Sequence, residues 1–212
     1  MSVPEKVILV HGMGRTAASM LLMGRRLKDA GFPNLLFNYF VSMESLDGIA
    51  DRLEWTVRRK IRRPFALVGH SLGGVLARMK SEALLDAGLK KLVMLGPPNT
   101  SPMLAQALKD NPVFKLVAGD AGQKLATPSF HANLPIPEVP TLIFAGSSGP
   151  RSVWLPHRGE PNDGIVSVEE TRLGGAIHRT IPGIHTLLMN DRGVTEEIIR
   201  FLRERDAEPE QR

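Results

Sequence analysis

The chain has 212 residues, 42% of them hydrophobic and 23% charged, with a formal net charge of +5 and no cysteine. That length fits one large domain, 1–212, with a substantial core; the missing thiols exclude disulfides and thiolate metal sites and are compatible with a reducing cytoplasm. The first ten residues hold only four consecutive apolar positions, too few for the apolar region of a secretory signal, so the expectation is a cytoplasmic protein without integral membrane association.

In chain order, short apolar runs alternate with helical patterns. Val7-Ile8-Leu9-Val10 predicts a buried strand and runs into His11-Gly12-Met13-Gly14, whose glycines allow a tight turn that aims the Met13 backbone N–H at a developing oxyanion. His11 is expected to hydrogen-bond locally and fix that loop rather than move protons. Ser19 to Ala30 predicts a helix stopped by Gly31, and Leu35-Leu36-Phe37 the next strand. Glu44 to Ile61 follows as a helix after a Ser42 cap, with Leu46, Ile49, Leu53 and Val57 on one stripe. The cluster from Arg58 to Arg63 ends that helix, where cations complement the dipole; this favours a solvated helix end over a nucleic-acid or membrane patch.

Phe65 to Val68 is the third apolar run, and it breaks into Gly69-His70-Ser71-Leu72-Gly73. Gly-x-Ser-x-Gly between a buried strand and a helix is a nucleophile elbow: the sharp turn pushes the serine hydroxyl out above the sheet, and only glycine leaves room for the close backbone approach. Ser71 is the candidate nucleophile, and the Leu72 N–H just after it is the second candidate oxyanion donor. Val75, Leu76, Met79, Ala83 and Leu84 continue at helical spacing towards Gly88, a C-terminal cap.

Leu92 to Leu95 predicts a fourth strand, after which eight prolines fall between Pro97 and Pro140. With apolar patches at Met103–Leu108 and Val113–Val117, the segment 97–140 predicts either a small cap over the site or a loop packed on the sheet edge. Met103, Leu104 and Phe114 are the side chains expected to form an apolar wall for an acyl chain. Leu142-Ile143-Phe144 and Thr180-Ile181 complete the strands, a helix spans Thr195 to Arg203, and 205–212 is expected to be a flexible tail. Alternation this regular implies a mainly parallel sheet, its strands covered on both faces, in a three-layer α/β/α sandwich.

A serine hydroxyl needs a base, and the base a carboxylate. Ligands collect at the carboxyl ends of parallel strands. His11 and His70 belong to glycine turns, His131 and His157 to proline-rich loops, and His178 precedes the final strand. His185 follows that strand and is the position from which an imidazole reaches Ser71. Asp163, in Asn162-Asp163-Gly164 after the fifth run, is the candidate orienting acid, with an ordinary Asp-Gly turn as the alternative. The chain order Ser71, Asp163, His185 is the order this architecture uses.

Together, Val7 to Gly12, Gly69 to Gly74, Asn162 to Val168 and His185-Thr186 resemble the small α/β-hydrolases, in the bacterial lipase and esterase branch with minimal caps. The resemblance extends from Val7 to about Leu202 and implies a reduced sheet of about six strands. It also implies a Ser71–His185–Asp163 triad with Met13 and Leu72 as oxyanion donors. The expected function is hydrolysis of short- to medium-chain carboxylic esters through an acyl-enzyme, acting on a small ester or lipid-like molecule, with no cofactor, no metal and no nucleic-acid partner. The same machinery also serves thioesterases, acyltransferases and true lipases, and the scaffold occurs without catalysis as a binding protein.

Overall fold

The computed structural model describes residues 3–61, 64–157 and 159–204, so Arg62, Arg63 and the expected tail at 205–212 lie outside it. Six strands form one parallel sheet: β1 (Lys6–Val10), β2 (Asn34–Phe37), β3 (Phe65–His70), β4 (Leu89–Leu95), β5 (Thr141–Gly146) and β6 (Ile177–Ile181), in the spatial order β2-β1-β3-β4-β5-β6. The apolar runs explain why. In β3 every residue is buried, and successive side chains enter different cores. Phe65 and Leu67 pack with Ile49, Leu53 and Val57 of α2 (Leu46–Lys60) and with Val75 and Leu76 of α3 (Leu72–Met79). Ala66 and Val68 pack on the other face with Met23 and Leu27 of α1 (Leu21–Asp29) and with Val194, Ile198 and Leu202 of α7 (Arg192–Arg203). Two helical layers thus sandwich the sheet, as expected.

The sheet ends are less covered than the sequence suggested. β6 has no buried residue and β2 only Phe37, because each edge strand has a neighbour on one side alone and the flanking helices pack over the centre. Lys91 of β4 is buried with its Nζ donating to the carbonyls of Phe201 and Glu204, both at 2.6 Å, where a cation suits the C-terminal dipole of α7.

Several element ends differ from expectation, each for a local reason. The first helix is split into a 3-10 turn at Ala17–Met20 and then α1. The cap of α2 is Ser45 rather than Ser42: its Oγ accepts the Gly48 N–H at 3.1 Å, and the Leu46 N–H goes to Asp120 Oδ2 at 2.9 Å. Helix α3 stops at Met79, short of Gly88, where Lys80 turns outward to Asp51 and Glu54, and Leu84 reaches the core through turns instead. Helix α7 begins at Arg192, three residues before the predicted start, because Asp191 caps it by accepting Val194 N–H at 2.8 Å. β6 begins at Ile177, so His178 lies within the strand rather than before it, with Nε2 2.8 Å from Thr171 Oγ1.

The segment between β4 and β5 is helical: α4 (Met103–Leu108), α5 (Pro112–Leu125) and α6 (Pro128–Ala132). Asn111 caps α5 with Pro112 at its first position, and Gly119 breaks the helix at φ 54°, where a Cβ would stand 2.8 Å from the Val41 carbonyl. Buried polar groups fasten this segment to the sheet domain. Arg78 of α3 donates to the carbonyls of Pro135, Leu134 and Asn99 at 2.8, 3.1 and 3.0 Å. The Glu170 carboxylate accepts Met103 N–H and Ser167 N–H, both at 2.7 Å.

Ile198 is fully buried between α7 and the sheet. Truncation there leaves a cavity as well as losing transfer free energy, so Ile198→Ala should lower the unfolding free energy by about 2–5 kcal/mol in urea titration.

Candidate active site

The site forms where the strand order reverses, between β1 and β3, at their carboxyl ends. β3 ends at His70 and α3 starts at Leu72, so Ser71 alone makes the turn, at φ 53° and ψ −120°. It is the one non-glycine residue with positive φ among the described residues, a conformation that costs about 1–3 kcal/mol. Its N–H donates to the Leu95 carbonyl of β4 at 2.8 Å, and its carbonyl accepts Gly74 N–H at 2.9 Å. A Cβ at Gly69 would lie 2.3 Å from the Gly73 carbonyl oxygen, and one at Gly73 2.3 Å from that of Val10, so both positions require glycine. The Ser71 hydroxyl has no hydrogen-bond partner among the described residues and faces a cavity of about 370 Å³ that His185 and Met13 also line.

Asp163 sits in the loop after β5, closed by a bridge between Asn162 and Ser167. Its Oδ1 accepts the N–H groups of Ile165 and Val166 at 3.0 and 2.8 Å, an Asx-type turn that aims Oδ2 away from the loop. Oδ2 accepts from His185 Nδ1 at 2.6 Å, and the His185 N–H donates to the Asp163 carbonyl at 2.8 Å. Ring and carboxylate are held twice, with side-chain exposures of 8% and 0%. That arrangement leaves His185 Nε2 as the free ring nitrogen.

Two further histidines brace the site. His70 Nε2–H donates to the His185 carbonyl at 2.9 Å, with the two rings 4.8 Å apart. Its pKa lies well below the usual histidine value, first because burial disfavours the charged form and then because of the neighbouring His185, so His70 stays neutral. His11 Nδ1–H donates to the Gly12 carbonyl at 2.8 Å, Nε2 accepts Tyr39 N–H at 3.2 Å, and the ring stacks on Tyr39 at 4.2 Å. Burial lowers its pKa too; it holds the Met13 loop. The Leu72 N–H is the first of α3 and lies beyond reach of any intrahelical carbonyl. His131 and His157 are buried elsewhere, His131 donating to the Leu125 carbonyl at 2.9 Å and His157 lying 4.0 Å from Glu170.

The cavity wall is apolar, with Leu104 and Leu108 from one face of α4 and Phe114, Val117 and Ala118 from α5. Met103 is a correction. Its side chain is absent from the lining, because one step of about 100° round the helix separates it from the Leu104 face. The Met103 contribution is its backbone bond to Glu170. Sequence reasoning missed Glu170, the bracing role of His70 and the presence of Arg15 on the cavity wall. Arg15 alone carried a signal, a cation directly after the Gly12-Met13-Gly14 turn.

A model of the Alpha/beta hydrolase family matches residues 7–208. No curated protein sequence matches the chain. The mature form of Bacillus licheniformis lipase BlEst2 superposes with a TM-score of 0.79 at 17% identity, covering 95% of this chain and 93% of that one. The Paleococcus ferrophilus monoacylglycerol lipase gives 0.62 at 17% identity, covering 95% and 96%. The type II thioesterase BorB from the borrelidin biosynthetic cluster gives 0.61 at 21% identity, covering 95% and 92%. At these identities the likeness is one of fold.

Unfolded, His70 titrates near the ordinary value of 6.5; folded, it binds its proton only at much lower pH. The unfolded state therefore holds more protons in that window, and stability falls with falling pH, by up to about 1.4 kcal/mol per pH unit from this one group. Urea unfolding between about pH 7 and pH 5 should show this slope, and His70→Asn should flatten it.

Proposed function

The chain belongs to the alpha/beta hydrolase family, and from that premise we propose that it is a serine hydrolase of carboxylic esters, with Ser71 as nucleophile, His185 as general base and Asp163 as the orienting carboxylate. The observation that carries the reading is the 2.6 Å bond from His185 Nδ1 to Asp163 beside a serine held at positive φ on the same cavity. A neutral imidazole whose Nδ1–H is committed to a carboxylate presents a basic Nε2, the tautomer that accepts a hydroxyl proton. The buried carboxylate then stabilises the imidazolium that forms.

Ser71 Oγ attacks the acyl carbon as its proton passes to His185 Nε2. The carbonyl π pair moves onto oxygen, towards the N–H groups of Met13 and Leu72. Collapse of the tetrahedral species breaks the carbon–oxygen bond to the leaving group, which takes the proton from His185 and departs as an alcohol. Water repeats the sequence on the acyl-enzyme: His185 accepts its proton, and the acid leaves as Ser71 is reprotonated. These steps need no cofactor. The wall of Leu104, Leu108 and Phe114 supports an acyl chain of modest length as the group that occupies the cavity.

Covalent labelling by a fluorophosphonate probe should occur in the wild type and vanish in Ser71→Ala with the circular dichroism unchanged; labelling that persists would overturn the assignment. His185→Ala and Asp163→Asn should each lower kcat for p-nitrophenyl butyrate by about two to four powers of ten, with little added by combining them, because the residues act as a unit. Across p-nitrophenyl esters, kcat/KM should rise from acetyl to the butyryl–octanoyl range and fall for palmitoyl, each buried methylene contributing at most about 0.8 kcal/mol. A strict requirement for a thioester would replace the leaving group in this reading.

A further inference from the structure

The cavity in front of Ser71 has one charged side chain on its wall, Arg15, and its apolar wall is built by Leu104 and Leu108 of α4 and Phe114 of α5. Arg15 also lines a second cavity, of about 490 Å³, built from the loops after β1 and β2 with Thr16, Tyr39, Phe40 and Ser42. Gly14, Arg15 and Val117 belong to both, so the two cavities share this stretch of wall.

Arg15 is half-buried, and its one hydrogen bond runs from Nη2 to the Thr186 carbonyl at 3.2 Å, next to His185. Among the described residues it forms no ion pair, and neither cavity has a carboxylate on its lining. The acidic residues that follow Ser42 are already held: Glu44 by Arg52 at 2.7 Å, and Asp47 by Lys124 at 2.6 Å. A guanidinium carries five N–H donors in a fork that matches a carboxylate or phosphate, and most of this one is unused by the protein. A low-dielectric apolar wall on one side strengthens its pull on an anion.

A tetrahedral carbon on Ser71 Oγ carries an oxyanion, the acyl chain and the leaving oxygen. With the oxyanion at Met13 and Leu72 and the acyl chain against α4 and α5, the remaining direction for the leaving group is towards Arg15 and the second cavity. We propose that the second cavity receives the alcohol side of the substrate and that Arg15 binds an oxyanion carried on it, a phosphate or carboxylate a few bonds from the ester oxygen. The preferred substrates are then esters of small anionic alcohols. This rests on the ester-hydrolase reading above and specifies the half of the substrate that reading leaves open.

Two matched pairs test it on the purified full chain: the butyryl ester of glycerol phosphate against butyrylglycerol, and the butyryl ester of lactate against that of lactamide. The first pair reads a phosphate, the second a carboxylate. In one pair or both, kcat/KM should favour the charged member, and Arg15→Met should lower that ratio by about 10- to 100-fold, the range a charge-assisted hydrogen bond supports. Arg15→Lys should keep part of the ratio, and added salt should reduce it. Equal turnover of charged and neutral members in both pairs, or a ratio unchanged in Arg15→Met, overturns the inference and leaves Arg15 as a tie to Thr186. Loss of fluorophosphonate labelling together with inactivity on all four esters would instead overturn the hydrolase reading, and this inference with it.

Discussion

One residue turns the chain from the most buried strand into its following helix, and it does so in a backbone conformation that L-residues avoid. Ser71 stands at φ 53° because β3 and α3 leave it no alternative. Gly69 and Gly73 let the two elements approach, β4 takes up its N–H through the Leu95 carbonyl, and Gly73 passes against the backbone of β1. The central three strands are thus spaced by what the elbow demands. Loops after β1 and β5 then fall to the same end of the sheet simply because every strand is parallel.

Around that turn, charge is managed by burial rather than by ion pairs. His70 and His11 are desolvated and kept neutral, so each offers one donor and one acceptor in a known direction. The His185 ring is positioned by Asp163 from one side and, through its own backbone, by His70 from the other. A charged His70 beside His185 would oppose the imidazolium that the proposed mechanism forms there; burial removes that conflict.

The central strands and the elbow were legible because their signals are local: uninterrupted apolar runs and a five-residue turn motif. The juxtaposition of Asp163 and His185 was readable from their order relative to the strands. Edge strands and caps were not. Whether Ser42 or Ser45 caps α2 depends on Asp120, far along the chain, taking the Leu46 N–H; the exposure of β6 depends on where helices stop. Glu170 was invisible for the same reason, since nothing in Val168-Glu169-Glu170-Thr171 distinguishes the carboxylate that points inward from its neighbour that meets Arg172. The Met103 side chain missed the wall by a rotation about the helix axis that sequence spacing alone leaves undetermined.

The Glu170 carboxylate joins two parts that are usually thought of separately. One oxygen holds the first turn of α4, which carries the apolar wall, and the other holds Ser167 in the loop that presents Asp163. At that end the cavity wall and the Asp163 loop share one anchor, so a change that displaces Glu170 loosens the start of α4 and Ser167 together. Among the described residues the first half of α5 makes no hydrogen bond to that loop: Leu116 is 79% and Val117 58% exposed, and the helix breaks just beyond at Gly119. Under the proposed hydrolase reading, divergence in acyl preference among chains of this design should therefore accumulate in the first half of α5, where the wall can be reshaped without disturbing the bond between His185 and Asp163.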